Sequence, residues 1–161
     1  NHRNIIMNNS THDSALSATG RFGRFSYLAW NCLVAIVTVL IGGGLMAIFP
    51  NLFMDMETGN FGSGVIILII IYLVVFYFSF VFAIRRLHDR NHSGWLSLLL
   101  LVPIANILMA LYLVFAPGDA QSNNYGAPRA TAGWESVLAW LYIILIILVF
   151  IGGIGAAIMG Q

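Results

Sequence analysis

The chain has 161 residues, of which 60% are hydrophobic and only 8% are charged. A water-soluble domain carries about 25% charged residues, so this chain cannot cover a water-facing surface, and lipid must be the solvent for most of it. The net charge is +1 and all seven basic residues are arginines, with no basic stripe of the kind a nucleic acid requires, which excludes that class of partner.

Residues 1–19 form a polar tail that lacks the apolar core and small-residue cleavage site of a signal peptide. Gly20-Arg21-Phe22-Gly23-Arg24-Phe25-Ser26-Tyr27 follows. Arg21 and Arg24 share a face if this segment is already helical, while Phe22, Phe25, Tyr27 and Trp30 suit the membrane interface. The element either lies along the surface with its arginines on headgroups or is the plain flank of a spanning helix. A span needs about 20 mostly apolar residues, which predicts a first transmembrane helix over about 27–49. Cys32 falls inside it; a lone cysteine forms no intramolecular disulfide and reads as a buried, inert thiol. Pro50, Asn51, Asp55, Glu57 and the glycines of 59–64 make a loop, and a second helix is predicted over about 65–84.

The densest polar run comes next: Arg85-Arg86-Leu87-His88-Asp89-Arg90-Asn91-His92-Ser93-Gly94-Trp95. Arginines at a helix C-terminus complement its dipole and grip phosphate bidentately. The run reads either as a pocket for an anionic lipid headgroup or a partner contact, or as a charge cluster that only sets orientation. His88 and His92 have a spacing that can hold a metal, but the zinc-protease pattern is incomplete, so no metal and no cofactor are expected.

A third helix is predicted over about 95–115, with Pro103 near its middle. Proline removes a backbone donor and can break a helix, so the alternative is a re-entrant element that dips into the membrane and returns. Asn31 and Asn106 lie within membrane segments, where an amide is expected to bond across a helix interface. A polar, turn-rich loop over 116–133 precedes a fourth helix over about 137–159, whose Gly152, Ala156 and Gly160 recur every fourth residue. Small residues at that spacing let two helices approach closely. The fold expected is all-α, an integral membrane four-helix bundle with short loops. Basic residues near helix ends stay cytoplasmic. Four crossings then put six of the seven arginines inside, with the N-terminus, the 85–93 loop and the C-terminus cytoplasmic. The re-entrant alternative puts all seven inside and the C-terminus outside.

The ordered set GRFGRFSY at 20–27, RRLHD at 85–89, SGW at 93–95, Pro103, PG at 117–118 and NNYG at 123–126 resembles the bacterial YhaH-like family, small inner-membrane proteins classed as a domain of unknown function. The resemblance covers about residues 20–126 and implies a bacterial inner-membrane location without supplying an activity. Its matching positions are Arg21, Arg24, Tyr27, Arg85, Arg86, His88, Asp89, Trp95, Asn123, Tyr125 and Gly126. Leu28 and Asn124 depart from it: an aromatic often follows the tyrosine, and arginine is common at the second position. The domains implied are the tail 1–19, a YhaH-like membrane domain 20–128, and an additional helix within 129–161.

The role expected is an accessory protein that binds another membrane protein or a second copy of itself. The alternative is a lipid-handling protein with an anionic headgroup on the arginine cluster. A transport path would need polar or charged residues lining a way through the helices, and no charged side chain falls inside the four spans; an enzyme would need a nucleophile or metal site beside His88 and Asp89, and none accompanies them.

Overall fold

A computed structural model describes residues 14–51 and 63–160. Arg3, Asp55 and Glu57, used above for charge and loop assignment, lie outside the described residues. The described chain is helical: α1 spans Arg24–Ile48, α2 Ser63–His88, a 3-10 helix Gly94–Leu101, α3 Ala105–Phe115, and α4 Gly133–Met159. The one β feature among these residues is an isolated bridge between Asn123 and Gly126. Three helices, α1, α2 and α4, are long and apolar enough to cross a membrane. Their large apolar side chains are mostly exposed, as lipid requires.

The third expected helix is not continuous. Trp95 stands in a 3-10 helix that ends at Leu101, Val102 turns extended, and the chain restarts as α3 at Ala105. Pro103 dictates this, because it pushes the residue before it out of the helical region. Ile104 then takes φ 69° and ψ −52°, the centre of a γ-turn closed by the Ala105 amide on the Pro103 carbonyl, which a β-branched residue adopts only where the surrounding fold imposes it. Eight residues at about 2.0 Å rise make a first leg of about 16 Å. Eleven at about 1.5 Å make a second leg of equal length. The two legs pack on each other.

The chain divides into two compact units that do not follow chain order: residues 1–24 with 78–130, and 25–77 with 131–161. The first holds most of the polar sequence, the end of α2 and the broken hairpin. Its interior contains Phe22, Val81, Phe82, Leu87 and Leu113, but also Arg21, Arg85, Arg86 and Asp89. The second holds nearly all of α1, the start of α2, and α4. Within it Phe25 lies 5.7 Å from Trp140 and Trp30 lies 5.4 Å from Trp134, so α1 and α4 pair through the residues that begin them. The Asn31 amide does not bridge helices; it donates to the Tyr27 carbonyl one turn back, at 2.8 Å. Asn106 stands exposed on α3.

Candidate functional site

α2 runs one turn past the expected boundary and ends in Arg85, Arg86 and His88. A helix end leaves its last carbonyls without intrahelical partners, and arginines there are favoured by the dipole. Asn91, at φ 56°, reverses the chain, and Ser93 caps the 3-10 helix by accepting from the Trp95 amide. Helix end, turn and cap together hold the RRLHD run in one rigid piece.

Asp89 is the hub. Its Oδ1 accepts from Arg21 Nε at 3.1 Å and its Oδ2 from Arg86 Nη1 at 2.7 Å. Arg21 also donates to the carbonyls of Asp119 (2.6 Å), Gln121 (2.8 Å) and Gly126 (3.0 Å). Arg86 reaches the Leu113 carbonyl at 2.8 Å and the Ala116 carbonyl. Arg85 donates to the carbonyls of Ser14, Ser17 and Thr19, and its guanidinium lies 4.3 Å over the Phe22 ring. The three guanidiniums are at most 1% exposed. A buried charge survives only when it is paired and hydrogen-bonded, and each arginine here ties a loop carbonyl to the end of α2. Gly118 is required beside this hub, because a Cβ there would overlap the Asp89 carboxylate.

The 117–126 loop closes over the hub. Asp119 N–H donates to the Asp89 carbonyl at 2.8 Å, and Asn123 Nδ2 donates to the His88 carbonyl at 2.9 Å. Asn123 and Gly126 exchange backbone hydrogen bonds, with Gly126 at φ 105° where only glycine sits without strain. Tyr125 stacks on His88, ring centroids 3.7 Å apart and 7° from parallel. Asn124, where the resemblance leads one to look for an arginine, uses its backbone amide on Asn91 Oδ1 instead. Arg90 bonds the Tyr112 hydroxyl and the Pro117 carbonyl, and the Tyr112 bond raises its pKa above the ordinary arginine value.

The sequence-predicted residues are therefore brought together, with their charges facing inward. Arg21, Arg85 and Arg86 were expected at a headgroup or a partner surface; their donors meet Asp89 and backbone carbonyls instead. Of the proposed contact residues, Arg24 is exposed and Trp95 is 79% exposed. His88 and His92 do not converge: His88 Nδ1 faces the Gly20 carbonyl, and His92 Nε2 bonds the Tyr112 hydroxyl at 2.7 Å. On the Gly152, Ala156, Gly160 face, a Cβ built on Gly152 or Gly155 would meet nothing within 4 Å.

Sequence reasoning passed over Glu135, which is completely buried in the second unit. Its carboxylate accepts from Ser26 Oγ and Trp30 Nε1, each at 2.8 Å, and from the Ala132 amide at 3.0 Å. An acid in the first turn of α4 suits the positive end of the helix dipole. The signal was legible as a lone carboxylate flanked by Trp134 at the mouth of an apolar run.

A family model described as a protein of unknown function (DUF805) matches residues 15–127, more than half of the chain. No curated protein and no solved structure matches it.

Proposed function

We propose, for a chain that belongs to the DUF805 family, the role of an accessory membrane protein of the bacterial inner membrane that binds another membrane protein through its helices. The observation that carries this is the open small-residue surface. Gly42, Gly43 and Gly44 on α1 and Gly152, Gly153 and Gly155 on α4 face space that no described residue fills. Helix association in lipid depends on close backbone approach, which such positions permit. The polar residues, by contrast, are consumed within the fold. An anionic headgroup on the arginine cluster, the alternative role, has only Arg24 exposed to it among the described arginines.

Two separate sets of contacts support an orientation. Arg86 grips the carbonyls of Leu113 and Ala116 while Asp119 grips that of Asp89, so the 94–115 segment leaves and returns at one membrane face. Two legs of about 16 Å reach halfway into a hydrocarbon core of about 30 Å. Independently, Glu135 at the start of α4 bonds Ser26 and Trp30 at the start of α1, so these helices enter from the same face. With four crossings they would enter from opposite faces. In this reading the chain crosses three times, the arginines of the described residues lie on the cytoplasmic side, and the C-terminus is external, which is the re-entrant arrangement rather than the four-span one.

The partner is tested by purification from native membranes in a mild detergent. A stoichiometric companion, whether a second copy or another chain, is expected, and Gly152→Leu with Ala156→Leu removes it. A lone monomer at native expression, or a companion indifferent to both substitutions, contradicts the role.

A further inference from the structure

The first unit contains a cavity of about 420 Å³, and Phe80, Ile84, His88, Trp95, Ser97 and Tyr125 are among its walls. That volume lies within the roughly 300–1,000 Å³ range of small-molecule sites. Phe80, Ile84 and His88 are spaced by four, so they form one stripe along α2, about 12 Å long at 1.5 Å per residue. The stripe is apolar at the end that enters lipid and polar at the end that meets the headgroup region. Gly94 keeps it open, since a Cβ there would press on Ile84 at 2.8 Å and approach His88 Nε2 at 3.4 Å.

Two polar side chains on the cavity wall, those of His88 and Ser97, can meet an occupant. His88 Nδ1 lies 3.2 Å from the Gly20 carbonyl, an oxygen that can only accept, so in the neutral ring Nδ1 carries the proton and Nε2 presents a lone pair. Ser97 is 2% exposed and stands on the cavity wall, where its hydroxyl can donate to an occupant.

The charge of an occupant follows from what is missing on the walls. Neither an arginine nor a carboxylate lines the cavity, and burying an unpaired ammonium or phosphate is far more costly than burying a neutral group. The shape follows from what is there: Phe80, His88, Trp95 and Tyr125 are all rings, surfaces on which a flat ring packs well.

We propose that this cavity binds a neutral, ring-headed membrane amphiphile of the lipid-soluble hydroquinone and phenol class. A ring hydroxyl donates to His88 Nε2, a second oxygen accepts from Ser97, Trp95 covers the ring, and the chain runs along Ile84 and Phe80 into lipid.

The test uses the full chain in phosphatidylcholine nanodiscs, titrated calorimetrically under argon with three probes. These are a decyl-substituted para-hydroquinone, its dimethyl ether, and decanol. The hydroquinone is expected to saturate one site, with the ether and the alcohol each at least about tenfold weaker, the worth of one net hydrogen bond. Trp95→Ala removes an exposed ring without touching the Asp89 hub and weakens the hydroquinone severalfold while leaving decanol unchanged. Equal affinity for the three probes, an unsaturable hydroquinone isotherm, or indifference to Trp95→Ala overturns the proposal. Because the ether replaces only the probe's donors, the outcome does not depend on whether a His88 variant folds.

Discussion

The two units use opposite solutions to the same problem of building a stable object at a membrane. In the unit formed by residues 1–24 and 78–130, arginines and an aspartate are buried and hydrogen-bonded to one another and to main-chain carbonyls. In the unit of α1, α2 and α4, the apolar side chains are outside and only a few groups are buried, with Glu135 the fully buried charge. In the first, specificity comes from directional bonds to main-chain carbonyls, which fix loops that have little apolar surface of their own. In the second, lipid takes the place of a core, so the helices need only be held where they begin.

If that contrast is correct, substitutions in the polar unit should cost most. Asp89→Asn keeps the shape but leaves Arg21 and Arg86 as uncompensated buried charges, an expected loss of about 3–5 kcal/mol. Thermal unfolding in detergent and proteolysis of the 116–130 loop would register it; a variant as stable as the parent breaks the comparison. Gly118→Ala, which drives a methyl into the same carboxylate, should cost about 1–3 kcal/mol by overpacking.

Glu135→Ala is next. It removes the carboxylate that accepts from Ser26 Oγ, Trp30 Nε1 and the Ala132 amide, an expected cost of about 1–3 kcal/mol, visible as a red shift of tryptophan emission with the 116–130 loop still protected from protease. Simultaneous loss of loop protection would show that the two units are not stabilised separately. Smallest of all is Gly152→Leu, on a face touching nothing of its own chain. Stability should stay within about 0.5 kcal/mol while the companion chain is lost.

Much of this was legible in the sequence. Uninterrupted apolar runs identify α1, α2 and α4, because length and composition alone decide whether a helix can live in lipid. The polar motifs at 20–27, 85–95 and 117–126 were visible as candidates, and the structure gathers them around Asp89. What sequence could not give was their direction. An arginine at a helix end reads as a headgroup ligand unless one knows that the carbonyls of Leu113, Ala116 and Gln121 are within reach. Those acceptors belong to the backbone and leave no mark in residue type. Pro103 marked the break, but whether the chain crosses or returns depends on the same carbonyls. Glu135 falls outside the helix predicted over about 137–159 because that prediction starts at the first unbroken apolar stretch, four residues after α4 begins.

The most direct measurement is the side of the membrane on which α4 ends. In a Cys32→Ser background, single cysteines at Asn91, Asn124 and Met159 would be challenged in intact cells with a membrane-impermeant maleimide. Labelling of Met159→Cys alone, with Asn91→Cys and Asn124→Cys reactive only after lysis, is the predicted result. Labelling of Asn124→Cys from outside, with Met159→Cys protected, would mean that 94–115 crosses the membrane and that the Asp89 lattice does not join those loops.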